Sequence, residues 1–141
     1  MFKQLATASR STESAATVYL TIGRSLAVGK AMGYGLNLQE AEKRVAKNAP
    51  AAPPLALEQS LKAPLVRYLA YGYRGLSDAD LRNILAFLQS PSGQTYVKAS
   101  IASLAAGFRS MSLRCGERIG ESWREIAQNE SLGDGAPKPA H

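Results

Sequence analysis

The side chains able to do chemistry are few, and their spacing argues against most reactions. The only histidine is His141, the last residue, so a catalytic triad, a histidine-ligated metal or a histidine general base has no member. Glu117, Glu121 and Glu125 recur one helical turn apart, a spacing that can hold a metal. Di-metal helix sites, however, draw on accompanying Glu-x-x-His pairs, which are absent. Interleaved with Arg114, Arg118 and Arg124, the three glutamates read as a solvated face laced with weak ion pairs. Gly23, Gly29 and Lys30 resemble a phosphate loop, but five residues separate the glycines instead of four, and Ala31 stands where a magnesium-binding hydroxyl is required. Asp78 and Asp80 are explained as negative charge in the first turn of a helix. Cys115 is the only cysteine, so no disulfide can form within the chain, and its place among apolar residues reads as a small buried side chain. The sequence therefore assigns no catalytic, cofactor-binding or metal-ligating residue, and the expectation is a protein that is not an enzyme.

What positions these residues is a set of helices, most clearly legible between Leu76 and Lys98. Ser77 can accept a hydrogen bond from the backbone N–H of Asp80, and Leu76 can staple onto Leu81. Just upstream, Gly75 suits the left-handed residue that closes a preceding helix. Leu81, Ile84, Leu85 and Leu88 recur at helical spacing, with Phe87 widening the stripe, until Ser90 and Pro91 intervene. Proline fits the first position of a new helix with Ser90 as its cap, and Gly93 permits close packing against that first turn.

Upstream, Ala15, Val18, Tyr19, Ile22, Leu26 and Gly29 follow one face of a helix over about 11–32, which Phe2 and Leu5 either extend or precede as a separate short helix. Gly33, Tyr34 and Gly35 break it. A short helix over 38–47 follows, then the proline-rich hinge 48–54, then a helix over 55–74. There Leu57, Leu61, Leu65 and either Tyr68 or Leu69 form the apolar face, ending at Gly72, and Pro64 must kink or split the helix. Of Tyr68, Tyr71 and Tyr73, at least one should be exposed or line a groove.

From Pro91 the stripe Val97, Ile101, Leu104, Phe108, Met111, Cys115, Ile119, Trp123 and Ile126 holds a spacing of three or four. Unbroken to residue 129 this helix measures roughly 58 Å, against about 40 Å for a globule of this length. Either it bends near Gly107 or Gly116, or its far end projects and needs a partner to cover Trp123 and Ile126. The tail 131–141 is rich in glycine and proline and is expected to be disordered.

The pattern Leu76, Ser77, Asp78, Asp80, Leu81, followed by Phe87, Ser90, Pro91, Gly93 and Gln94, resembles the core motif of a bacterial family of small all-helical domains of unknown function that are typically exported to the periplasm. The likeness covers roughly residues 64–105. The family more often carries an aromatic where Leu88 stands, and residues 1–60 carry no motif that aligns. The resemblance implies an all-helical envelope domain without an assigned reaction. The first residues lack the charged start, apolar centre and cleavage site of a signal peptide, so under that resemblance Met1 marks a truncated chain. A cytoplasmic location is the alternative.

The whole reads as one all-α domain over 1–130, about five helices in a compact orthogonal or bundle-like arrangement with a long C-terminal helix. No apolar stretch reaches the ~18–20 residues a membrane span needs. The formal charge is +6, with nine basic and four acidic residues up to position 70 and eight against seven beyond it. Lys3, Arg10, Arg24, Lys30, Lys43, Arg44, Lys47, Lys62 and Arg67 carry the excess, but they are spread over several elements with no reading motif, so no nucleic-acid partner is expected. The leading functional reading is a non-enzymatic domain that binds itself or another envelope protein through Met111, Ile119, Trp123 and Ile126. The alternatives are a carrier of a lipid or other apolar ligand, and weak binding of anionic lipid or nucleic acid by the basic first half.

Overall fold

A computed structural model describes residues 1–50 and 52–133, with side chains through 130. Among the described residues there are six helices and no strand: α1 (Phe2–Ala8), α2 (Ser11–Gly33), α3 (Leu38–Ala46), α4 (Leu55–Gly72), α5 (Asp78–Gln89) and α6 (Pro91–Gly133). The sixth is the short α1, set off from α2 at Arg10. The helical part of the expected tail runs to Gly133, and the remainder, 134–141, lies outside the described residues. The chain divides into two compact units, one of Met1–Thr21 with Pro50–Phe108 and one of Ile22–Ala49 with Arg109–His141.

In the first unit α1 packs against α4 and α5. Leu5 is its largest fully buried side chain, and Ala16, Leu81 and Val97 are buried with it. The Gln94 side-chain amide donates to the carbonyls of both Ala8, at 2.9 Å, and Leu88, at 2.6 Å. It thereby ties the last turn of α1 to that of α5, satisfying carbonyls that helix ends leave open. On α4, Leu57, Leu61, Leu65 and Leu69 are half-buried at four-residue spacing, which selects Leu69 over Tyr68. Tyr68 and Tyr71 stand out in solvent, the second beneath the Arg74 guanidinium at 4.0 Å. The helix continues through Pro64 without a break.

Two expectations about this unit are corrected. Gly75 is not left-handed; the chain leaves α4 through successive tight turns, with Leu76 N–H donating to Tyr73. Gly72 is not part of a packed face, since a Cβ there would meet nothing. The left-handed non-glycine residue is instead Arg10, at φ 51° between α1 and α2.

In the second unit α2 ends in a Schellman closure. Leu36 N–H donates to Ala31 and Gly35 N–H to Met32, with Gly35 at φ 106°, a conformation that costs glycine nothing. Asn37 then caps α3, accepting from Glu40 N–H while Glu40 accepts from Asn37 N–H. Ala41 is buried, and Glu42 meets Arg109 of α6 at 2.7 Å.

Candidate functional site

The α5–α6 joint holds the residues singled out by the sequence. Ser77 Oγ accepts from Asp80 N–H at 3.2 Å, and the Asp80 carboxylate accepts from the Ser77 hydroxyl at 2.6 Å and from its N–H at 3.2 Å. Those donors hold the Asp80 carboxyl below the usual carboxylate range, the hydroxyl first and the backbone N–H second. Ser90 Oγ accepts from Gly93 N–H at 3.1 Å, so Pro91 opens α6 behind a serine cap. A Cβ on Gly93 would run into the carbonyl of Phe87. Leu81 and Val97 are buried, but Phe87 is 47% exposed and lies against the Tyr96 ring, centroids 6.1 Å apart. Phe87, which widens the apolar stripe of α5 in the sequence, is thus not part of the interior: the joint closes on Leu81 and Val97, and two aromatic rings meet outside it. Ser77, Asp80, Ser90 and Gln94 spend their polar groups on helix ends, which makes the joint an architectural element.

The long stripe of α6 has a different fate in the second unit. A Cβ added to Gly29 would strike the carbonyl of Leu113, one on Gly33 that of Glu117, one on Gly116 that of Leu26, and one on Gly120 that of Lys30. The partners ascend together along both helices, so α2 and α6 run parallel here. At each of these glycines the hydrogen in place of Cβ faces a carbonyl across the interface, a repeated weak contact of ~0.5–1 kcal/mol. Ser25 and Ser112 continue the two registers by one turn, and both are buried. The interface is therefore made by small residues every fourth position, the arrangement that lets two helix backbones touch.

With glycine on the paired face, the apolar stripe turns outward. Met111 is 55% exposed, Trp123 49% and Ile126 55%, while Ile119 is half-buried at the edge of the seam. Cys115 is exposed, a correction to its expected burial. Lys30 Nζ sits 3.5 Å from the centre of the Trp123 ring, a cation–π contact that fixes the indole. Neither Gly107 nor Gly116 interrupts α6; Gly107 faces open space, whereas Gly116 is part of the seam. Gly23, Gly29 and Lys30 are helical, which leaves no loop to cradle phosphate.

The seam was visible as Ser25, Gly29, Gly33 and Ser112, Gly116, Gly120, but an isolated glycine in a helix reads equally as a breaker. Among the described residues, no group of three His, Cys, Asp or Glu side chains is placed to hold a metal, and no helix is long and apolar enough to cross a membrane. A cleft of about 830 Å³ lies in the first unit between α1, the start of α2 and α4, and one of about 650 Å³ lies in the second unit between α2 and α3. No family model, no curated protein and no solved structure matches the chain.

Proposed function

We propose that this protein is a non-enzymatic helical module that assembles with a second copy of itself through the outward stripe of α6. The observation that carries the reading is the glycine seam, because it leaves Met111, Trp123 and Ile126 without a role in the interior.

Charge along the same helix favours a second copy as the occupant. On an ideal helix Arg114, Arg118 and Glu125 flank the stripe along one side, with Glu121 next to them, and among the described residues none of the four makes an ion pair within the chain. The arginines lie toward the start of the segment and the glutamates toward its end. Two antiparallel copies, related by a two-fold axis between Arg118 and Ile119, set Met111 opposite Ile126 and bring Arg114 and Arg118 to within two residues, about 3 Å along the helix, of the levels of the partner's Glu125 and Glu121. The patch is complementary to itself, which an isologous interface requires. An envelope location rests on the Leu76–Gln94 resemblance alone.

Light scattering across a concentration series should give twice the mass of one chain, and Ile126→Glu should return it to one. In a Cys115→Ser background, Ile119→Cys should form a disulfide-linked dimer under mild oxidation. Native Cys115 should not, because its two copies would stand about 10 Å apart along the helices, beyond disulfide reach. A monomer at every concentration overturns self-association, and a dimer that links through Cys115 overturns the antiparallel register.

A further inference from the structure

The cleft of about 830 Å³ in the first unit has a lining that asks for a ligand of mixed character. Its apolar side is made of small groups: Ala6 on α1, which is buried, with Ala63 and Val66 on α4. Because these residues are short, the helices leave room between them that larger side chains would have filled. Its rim is charged, with Lys3 from α1, Arg10 from the turn, and Lys62 and Arg67 from α4, against Glu13 and Glu58.

The rim charges are not equivalent. Arg10 is already neutralised: its guanidinium donates to both oxygens of Glu13, at 2.6 and 2.5 Å. Lys3, Lys62 and Arg67 make no ion pair among the described residues, and neither does Glu58, so three cations stand against one carboxylate and the rim keeps an excess of positive charge. The Arg10–Glu13 pair follows a backbone conformation that L-residues rarely adopt, since Arg10 is left-handed at φ 51°. Such outliers concentrate where a chain positions a ligand. Here the turn between α1 and α2 carries a neutral pair on the rim, and Lys3, Lys62 and Arg67 remain in excess over Glu58. The volume falls within the ~300–1,000 Å³ usual for small-molecule sites.

We infer that the α1–α4 cleft binds a single-chain anionic amphiphile, its aliphatic chain lying on Ala6, Ala63 and Val66 and its carboxylate or phosphate head held by Lys62, Arg67 and Lys3. The inference stands apart from the α6 stripe, which lies in the other unit. A neutral chain forfeits the cations, and a bare anion forfeits the apolar lining, so both parts of the ligand are required.

Titration calorimetry of the whole chain, below the micelle concentration of each probe, tests this with dodecanoate, dodecyl phosphate, octanoate and dodecanol. The expected result is one site per chain. Dodecanoate or dodecyl phosphate should bind at least tenfold more tightly than octanoate, and dodecanol at least tenfold more weakly than the better dodecyl anion. Whichever head group binds more tightly identifies the anion the cleft is built for. The Lys62→Glu, Arg67→Glu double variant should lose at least tenfold in affinity. Ala63→Trp, which occupies the apolar lining without changing charge, should abolish binding while circular dichroism shows an unchanged helical spectrum. Affinity independent of chain length, or an Ala63→Trp protein that binds dodecanoate like the parent, would overturn the inference.

Discussion

At the α5 start, two side chains each do the other's work: Ser77 satisfies Asp80 N–H and Asp80 satisfies Ser77 N–H. Replacing Ser77 with Ala removes one half and should cost about 1 kcal/mol in urea denaturation. The Asp80 carboxyl is held below its ordinary value by bonds that exist only in the fold. A depressed folded-state value means that its stabilising effect is complete above the unfolded value of 3.8 and is lost as pH falls through the lower folded value. Denaturation midpoints should therefore decline from about pH 4 downward, and Asp80→Asn should flatten that decline; an equally steep decline in Asp80→Asn would remove Asp80 from the explanation. The reciprocal cap was half legible, because the Ser77 acceptor follows from spacing, whereas the return bond is usually made by the longer Glu or Gln at this position and is made here by Asp80. Asn37 and Glu40 form the same device unannounced, since Gly33 and Gly35 drew the reading toward a turn.

Helix positions were largely legible, because caps, prolines and apolar periodicity act within one segment. Which face of a helix is buried was not. For α6, the strongest periodicity, from Val97 to Ile126, coincides with the interior only near Val97; farther on, burial passes to Ser112, Gly116 and Gly120. Apolar spacing records where greasy side chains lie, whereas the packed face here is chosen by how closely two backbones can approach, and glycine carries no hydropathy signal. Pro64 shows the same division: the sequence locates a defect in α4, but only packing decides whether the helix survives it, and the half-buried leucines 57, 61, 65 and 69 carry it through. Proline in a helix interior costs ~3 kcal/mol relative to alanine. Pro64→Ala should therefore stabilise the protein in urea denaturation by up to that amount, and a loss of stability would mean that α1 docks on a bend the proline makes.

For the molecule as a whole, burial of large apolar side chains is sparse. Among the described residues the buried hydrophobics are Leu5, Val28, Leu81 and Val97 together with four alanines, while Tyr19, Leu104, Met111, Trp123 and Ile126 lie about half or more exposed. Cohesion thus draws on half-buried apolar side chains such as the α4 leucines and on tightly approaching backbones, and the outward Met111, Trp123 and Ile126 are what the proposed dimer would cover. α2 and α6 are held by backbone contact at their glycines, with the stripe left outward. Two alanine substitutions on α2, both in the second unit, measure it most directly, because a Cβ at Gly23 meets nothing whereas one at Gly29 meets the Leu113 carbonyl. In urea denaturation Gly23→Ala should stabilise the protein by up to about 1 kcal/mol, and Gly29→Ala should destabilise it by about 1–3 kcal/mol or more. A Gly29→Ala protein as stable as Gly23→Ala would mean that no backbone contact at Gly29 holds α2 to α6.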